Sequence, residues 1–429
     1  MQESVAVFLL IGLFAVMIIC HLPVTFAMVI ATATTMLYLN IPMMTMVQQM
    51  AKSVNSFSLL AIPFFILMGE IMGAGGISDR LLKFANVLVG RFRGGLAFVN
   101  VLASMFFGGI SGSAVADVSS LGKIEIPMME DAGYDKDFSI CVTVSSACQG
   151  LLIPPSHNMV LYAMTAGGVS VGKLFLAGYA PGILLGVALM ALCYIFAIKR
   201  NYPKGDPVSF KEALVITKDA VFAIGAMFII VGGVVAGLFT ATEAAAIGCI
   251  YCLLVATLVY RQLSLKDMGR ILYNTVKTLA MIYSLIAAAG AFAWMMAYLR
   301  IPAKFTGILM DVSDNKIVVL LLINVLLLLL GCIMDMAPLI LIMTPILLPV
   351  VQKFGMDPVQ FGIMLIANLA IGLLTPPVGS CLYAGCAVGD AKIEKVTKCM
   401  LPFYLTMVVV LLMITFIPAL SMTLPNLMM

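Results

Sequence analysis

The chain has 429 residues, 63% of them hydrophobic and 10% charged, with a formal net charge of +4. A soluble chain of this length would form about three domains, but this composition excludes that class: the apolar runs approach the roughly 20 residues a bilayer span needs. Ten cysteines scattered through those runs read as small buried residues rather than a disulfide framework. Cys249 and Cys252 form a CxxC inside an apolar run with no second pair or nearby histidine, so no metal site is expected there. No nucleic-acid partner is expected either.

Val5 to Leu39 suffices for two short spans split near His21 and Pro23. The start at Met1 lacks a basic n-region and a small-residue cleavage site, so Val5 to Cys20 reads as a retained helix. Ile41 to Asn55 is amphipathic and fits a surface helix. A span covers Phe57 to Met72, and a basic stretch follows with Arg80, Lys83, Arg91 and Arg93. Phe92 to Met129 is apolar but interrupted at Gly108 to Ala114. Each part has about 15 residues and spans about 23 Å, short of a ~30 Å hydrocarbon core, which predicts a re-entrant hairpin.

The apolar segment from Phe138 to Ala166 carries QGLLIPPSHN at its centre. Two prolines there remove backbone donors and clash with the preceding turn, so the helix must break. A plain span follows from Leu174 to Ile198, then a polar connector. The second half predicts spans at Ala220 to Leu238 and Thr242 to Tyr260, a surface helix at Leu263 to Asn274, and a span at Thr278 to Tyr298. A hairpin from Lys316 to Val351 is cut at GCIMDMAP, a second broken span carries IGLLTPPVGS, and a last span runs from Leu401 to Ala419.

One constant offset relates the two halves. It pairs Gly109, Ile124, Pro127, Gly133 and Asp135 with Gly331, Ile346, Pro349, Gly355 and Asp357. It also pairs Gly150, Leu151, Leu152, Pro154 and Pro155 with Gly372, Leu373, Leu374, Pro376 and Pro377. Two halves of five spans and one hairpin each must have opposite orientations, because five is odd. The positive-inside rule agrees. With the N-terminus outside, one side receives six Lys and Arg between Arg80 and Lys136, five from Lys199 to Lys218, four from Arg261 to Lys277 and three from Lys392 to Lys398. The other side receives the remaining six of the 24. Trp294 then lies near the outer interface.

Interrupted apolar segments in corresponding halves point to a transporter's binding site. Unwound carbonyls coordinate small cations, helix N-termini attract anions, and Ser111, Ser113, Thr375 and Asp335 supply oxygen ligands. Close helix packing alone also uses glycines and serines, but two matched pairs favour binding. Charges within apolar segments are Glu70, Asp117, Glu243 and Asp335. Glu243 completes a capping box with Thr240 and reads as structural; Glu70 fits either an interfacial or a functional role. Asp335 in a hairpin tip and Asp117 just beyond one read as functional. His157 has Gly379 at the equivalent position, so a packed histidine and a proton carrier both fit; His21 reads as structural. No phosphate-binding loop with lysine and no nucleophile and base pair stands out, which argues against ATP hydrolysis and against an enzyme.

FFGGISGSAVADVSSLG, GLLIPPSHNMVLYA, GLFTATEAAAIG, GCIMDMAPLILIMTPILLP and GLLTPPVG, taken together, resemble the large membrane subunit of tripartite ATP-independent periplasmic (TRAP) transporters over nearly the whole length. The resemblance implies an all-helical bacterial inner-membrane transporter driven by a sodium gradient, with no other cofactor. It implies a small four-helix membrane partner, a soluble periplasmic substrate-binding protein and an organic anion as cargo, sialic acid ahead of a C4-dicarboxylate. It also implies an elevator motion. The scaffold would be residues 5–75, 174–198, 220–298 and 401–419, and the transport part 80–166 and 304–390, with repeats at 1–200 and 220–429 joined by 201–219.

Carried onto this chain, one sodium lies among Gly109, Ser111, Ser113, Gly150 and Pro154. The other lies among Gly331, Asp335, Gly372, Thr375 and Pro377, and the substrate lies near Ser113, Ser156, Asn158 and Asp335. The tips differ, ISGSA against IMDMA, so the ion sites need not be symmetric. A stand-alone sodium/carboxylate carrier is the alternative, distinguished by uptake without a soluble protein. An ion channel would show conduction rather than saturable coupled uptake.

Overall fold

A computed structural model describes residues 2–205 and 208–429, except for the side chains at 2, 109–111, 265, 308, 309, 311 and 312. The described residues are mostly helical, and among them seven helices are long and apolar enough to cross a membrane. Many large apolar side chains stay exposed on their outer faces, among them Phe8, Phe228 and Leu405. A patch of that extent is explained by lipid contact. The chain is thus a multi-pass, all-α membrane protein.

Helices α1 (Gln2–Ile19) and α2 (Val24–Tyr38) meet at a turn where His21 takes a positive φ, and Pro23 caps α2. Helix α3 (Met43–Val54) has no buried residue, in keeping with its amphipathic sequence. A 3-10 turn, Phe57–Leu60, leads into α4 (Ala61–Ala74). The basic stretch contains a further helix, α5 (Ile77–Val89), which the sequence reading does not predict. Ile77, Leu81, Leu82 and Ala85 give it one buried face with helical spacing.

The first hairpin consists of α6 (Gly95–Ser111), α7 (Ala114–Ser120) and α8 (Gly122–Asp131). The broken span is α9 (Lys136–Gly150) and α10 (His157–Thr165), followed by α11 (Val171–Lys199). The second half opens with α12 (Phe210–Val235) and α13 (Ala241–Leu254). Thr240 and Glu243 form the expected capping box: Glu243 Oε2 accepts from the Thr240 backbone at 2.8 Å, and Thr240 Oγ1 accepts from Glu243 N at 3.3 Å.

The surface helix and span predicted at Leu263 to Asn274 and Thr278 to Tyr298 prove to be one helix, α14 (Leu265–Tyr298), of 34 residues and about 51 Å. Ser264 and Asp267 cap its start, and NTVKT contains no glycine or proline to stop it. The first half breaks at the corresponding place because Asn55 and Ser56 precede a 3-10 turn.

Helix α15 (Ile301–Val312) precedes the second hairpin, α16 (Lys316–Gly331) and α17 (Met336–Lys353). The second broken span is α18 (Pro358–Gly372) and α19 (Ser380–Val388), then α20 (Ile393–Phe416). Pro418 opens a further helix, α21 (Pro418–Met428), beyond the predicted last span. Several boundaries recur at the offset that relates Gly150 to Gly372. Helices α9 and α18 begin at Lys136 and Pro358 and end at those two glycines, and α11 and α20 begin at Val171 and Ile393. The turns before α9 and α18 repeat as well, with Gly133 and Gly355 both at positive φ and Asp135 and Asp357 at the N-caps.

The equivalent aspartates make different bonds. Asp357 Oδ1 caps α18 by accepting from Val359 N at 2.7 Å. Asp135 accepts instead from the Tyr202 hydroxyl and from Arg200, each at 2.6 Å, tying the start of α9 to the end of α11. The Tyr202 hydrogen bond first, and then Arg200, hold the Asp135 carboxyl below its ordinary range.

Candidate functional site

Helices α9 and α18 are buried along nearly their whole length, which puts both breaks inside the protein. In the first, Ile153 N donates to Gly150 O at 3.0 Å, a cis Pro154–Pro155 bond follows, and Ser156 caps α10 in an extended conformation. In the second, Thr375 N donates to Gly372 O at 2.9 Å ahead of a cis Pro376–Pro377 bond. Each break is braced from outside. Gln149 Nε2 donates to Gly182 O of α11 at 2.8 Å, and the Tyr404 hydroxyl of α20 donates to Leu374 O at 2.5 Å. Leu374 O needs such a partner, because Val378 N, its donor in an unbroken helix, bonds Cys332 O instead.

The hairpin tips meet these breaks by backbone contact. A Cβ placed on Gly108 would lie 2.7 Å from Gly150 Cα, and one on Gly331 would lie 3.0 Å from Gly372 Cα. Only glycine allows that approach. At the first tip, Gly112 has φ +63° and its carbonyl accepts from Asn158 Nδ2 at 2.9 Å. At the second, Cys332 O accepts from Val378 N at 3.0 Å, and Asp335 Oδ1 accepts from the Ser380 hydroxyl at 3.3 Å. Ser113 and Asp335 occupy equivalent positions in the two halves and are the N-caps of α7 and α17.

Of the residues singled out from sequence, Ser113, Gly150, Pro154, Ser156 and Asn158 therefore belong to the first junction. Gly331, Asp335, Gly372, Thr375 and Pro377 belong to the second. Gly109 and Ser111 lie outside the described residues as far as their side chains go; among the described residues, Gly108 meets Gly150. Thr375 Oγ1 donates to Ile371 O at 2.8 Å, which leaves its lone pairs to accept. Among the described residues, Ser156 Oγ and His157 Nδ1 are buried and have no hydrogen-bond partner. Glu70, partly buried, accepts from Asn274 at 3.3 Å.

Two groups of residues escaped the sequence reading. Glu125 on α8 is fully buried, as is Asp117 on α7, and among the described residues neither carboxylate has a hydrogen-bond partner. Glu125 lies within the apolar segment Phe92 to Met129, where its charge was the available signal. The second group is a pair of matched buried networks. Asn100 of α6 donates to Thr143 at 2.7 Å and accepts from Ser146 at 2.6 Å, both on α9. Asn324 of α16 accepts from Asn368 of α18 at 3.0 Å and donates to Thr415 at 3.2 Å. Ser146 and Asn368 are equivalent in the two halves and lie one turn before Gly150 and Gly372. An asparagine in an apolar helix was the available signal.

Residues 11–420 match the family described as the tripartite ATP-independent periplasmic transporter, DctM component. The chain is 42% identical over 424 residues to the uncharacterized protein YgiK of Salmonella typhimurium, covering 98% of this chain and 97% of that one. It is 39% identical over 380 residues to the sialic acid TRAP transporter large permease protein SiaM of Vibrio cholerae, covering 89% of each. Its fold is similar to the crystal structure of the YdaH transporter of Alcanivorax borkumensis, with a TM-score of 0.63 at 17% identity over 88% of each chain. With two hairpins seated on two broken helices and a family match over almost its entire length, the chain belongs to the DctM component family, the large permeases of TRAP transporters.

Proposed function

We propose that this permease imports an organic anion by sodium-coupled elevator transport. The observation that carries this reading is the pair of glycine contacts, Gly108 on Gly150 and Gly331 on Gly372, which bring each hairpin tip against helix ends with unwound backbone. Such junctions suit a small hard cation, because carbonyl and hydroxyl oxygens converge where the helix has stopped using them. One sodium is held by the Gly109, Ser111, Ser113, Gly150 and Pro154 group. The other is held by Gly331, Asp335, Gly372, Thr375 and Pro377.

The cargo sits between the tips, near Ser113, Ser156, Asn158 and Asp335. Ser156 has an unused hydroxyl there, while Asn158 donates its amide hydrogen to Gly112 and keeps its oxygen as an acceptor. A carboxylate cargo is further favoured by the N-termini of α7, α10, α17 and α19, all of which start at these junctions. The hairpins and broken spans move as one body against a scaffold made of the outer spans, with the two halves inverted and the N-terminus outside.

Sialic acid is the cargo we favour, from the name of the Vibrio cholerae relative, and a C4-dicarboxylate is the second candidate. Large permeases of this family work with a substrate-binding protein and a small membrane subunit, and both are proposed here. The test is uptake of labelled sialic acid into liposomes holding this chain and its small membrane partner, with and without the soluble protein, under an inward sodium gradient. Uptake that needs sodium and the soluble protein is expected. Uptake without the soluble protein would favour a stand-alone carrier, and uptake of a C4-dicarboxylate alone would replace the cargo.

A further inference from the structure

A basic pocket lies away from both junctions, between α5 and α12. It encloses about 610 Å³. Arg80, Lys83 and Lys218 supply its cations, and Val215, Ile216 and Phe222 form an apolar wall. Among the described residues Asp219 is the only acid lining it, and that carboxylate is already engaged by Arg80 Nε at 2.9 Å.

The floor of the pocket is rigid. Arg80 also donates to Gly76 O at 2.8 Å and to Gln262 Oε1 at 3.5 Å, and its guanidinium lies 3.6 Å above the Tyr260 ring. The Tyr260 hydroxyl in turn donates to Asp219 O at 2.6 Å. Lys83 and Lys218 are exposed and make no ion pair among the described residues. Two uncompensated cations therefore share the pocket with a fixed one, next to exposed apolar side chains.

Depth decides what this arrangement meets. A span needs about 20 residues, and counting back from Val235 at the far end of α12 reaches Val215. The apolar wall thus begins where α12 enters the hydrocarbon; Lys218, three residues further in, lies only about 4.5 Å deeper, and its long side chain, inclined toward the N-terminal end of the helix, reaches back to the headgroups, where Lys83 lines the same pocket. A phosphate there meets the lysines while its acyl chains lie along Val215, Ile216 and Phe222. A free phosphate would leave that apolar wall exposed.

We propose that this pocket is a binding site for an anionic phospholipid, cardiolipin or phosphatidylglycerol, whose phosphate bridges Lys83 and Lys218 over the Arg80 platform. Basic pockets between transmembrane helices bind such headgroups. The site is independent of the ion and cargo sites proposed above.

The test is titration of the full chain, copurified with its small membrane subunit, with tetraoleoyl cardiolipin and with phosphatidylcholine, read by native mass spectrometry. Cardiolipin should bind selectively. Lys83→Ala with Lys218→Ala should weaken it by about tenfold or more, while Lys83→Arg with Lys218→Arg keeps it. Amine labelling of the unmodified protein gives a second reading that needs no variant. Cardiolipin should protect Lys83 and Lys218 and leave Lys173 and Lys353 unprotected. Unchanged cardiolipin affinity in the alanine variant, or absence of protection, overturns the site. Equal displacement by millimolar inorganic phosphate would make it a free-anion site and overturn the lipid. Protection of both lysines by the small subunit alone, without lipid, would make the pocket a protein interface and likewise overturn it.

Discussion

Asn158 donates its side-chain amide to the carbonyl of Gly112 at 2.9 Å, joining the second half of the first broken helix to the hairpin tip that faces it. The bond is buried, and a Cβ at Gly112 would collide with the His157 ring, so tip and helix start are fitted to each other. Asn158→Asp replaces the donor with a carboxylate facing a carbonyl oxygen. Sodium-driven uptake should fall by about tenfold or more, since a buried group left without its partner costs about 1–3 kcal/mol. Uptake in proteoliposomes measures this, and a wild-type rate would remove Asn158 from the junction's working parts.

The two glycine contacts make a paired prediction. A Cβ on Gly150 would lie 2.5 Å from Ser104 O, and one on Gly372 would lie 2.6 Å from Gly331 Cα. Backbone atoms cannot rotate away as a side chain can. Gly150→Ala and Gly372→Ala should each lower thermal stability by about 1–3 kcal/mol and abolish most uptake. Gly269→Ala, with nothing within 4 Å of the new methyl, should be neutral or slightly stabilising. Thermal melts of the three variants side by side decide the point.

Ser113→Ala and Thr375→Ala test the proposed ion sites. Each removes one oxygen of the proposed ligand set, and the half-saturating sodium concentration should rise by about 5- to 30-fold on the usual worth of one such contact. Uptake at varied sodium, at fixed cargo and soluble protein, reports the shift. Unchanged sodium dependence in both variants would mean that the ions bind elsewhere.

At the polar end of α9, Asp135 should make a small contribution to stability that depends on pH. Its folded carboxyl is held below the ordinary 3.8 by the Tyr202 hydroxyl and then by Arg200. A depressed carboxylate stabilises the fold above its unfolded value and loses that contribution as pH falls through the folded value. Asp135 is 58% exposed, so solvent screening keeps the effect below about 1 kcal/mol. Asp135→Asn should therefore melt slightly lower than wild type at pH 6, and the difference should shrink below about pH 4. A difference that grew on acidification would contradict the assignment.

Much of this protein follows from its sequence alone. Paired prolines must break α9 and α18 wherever the chain goes, because the missing donor and the ring clash are local. The Thr240 and Glu243 cap and the short arms of the hairpins are local too, as is the recurrence of glycine and proline at one constant offset. Only the tertiary structure decided the partners. That Gly108 meets Gly150 is one such pairing, since the packing of α6 on α9 sets what faces the break. Glu125 is buried although it carries a carboxyl group, because exposure depends on what packs against α8 and not on residue type. The Asn100 and Asn324 networks likewise exist only once α6 and α16 lie against α9 and α18, because a buried amide finds its partner across helices and not along one.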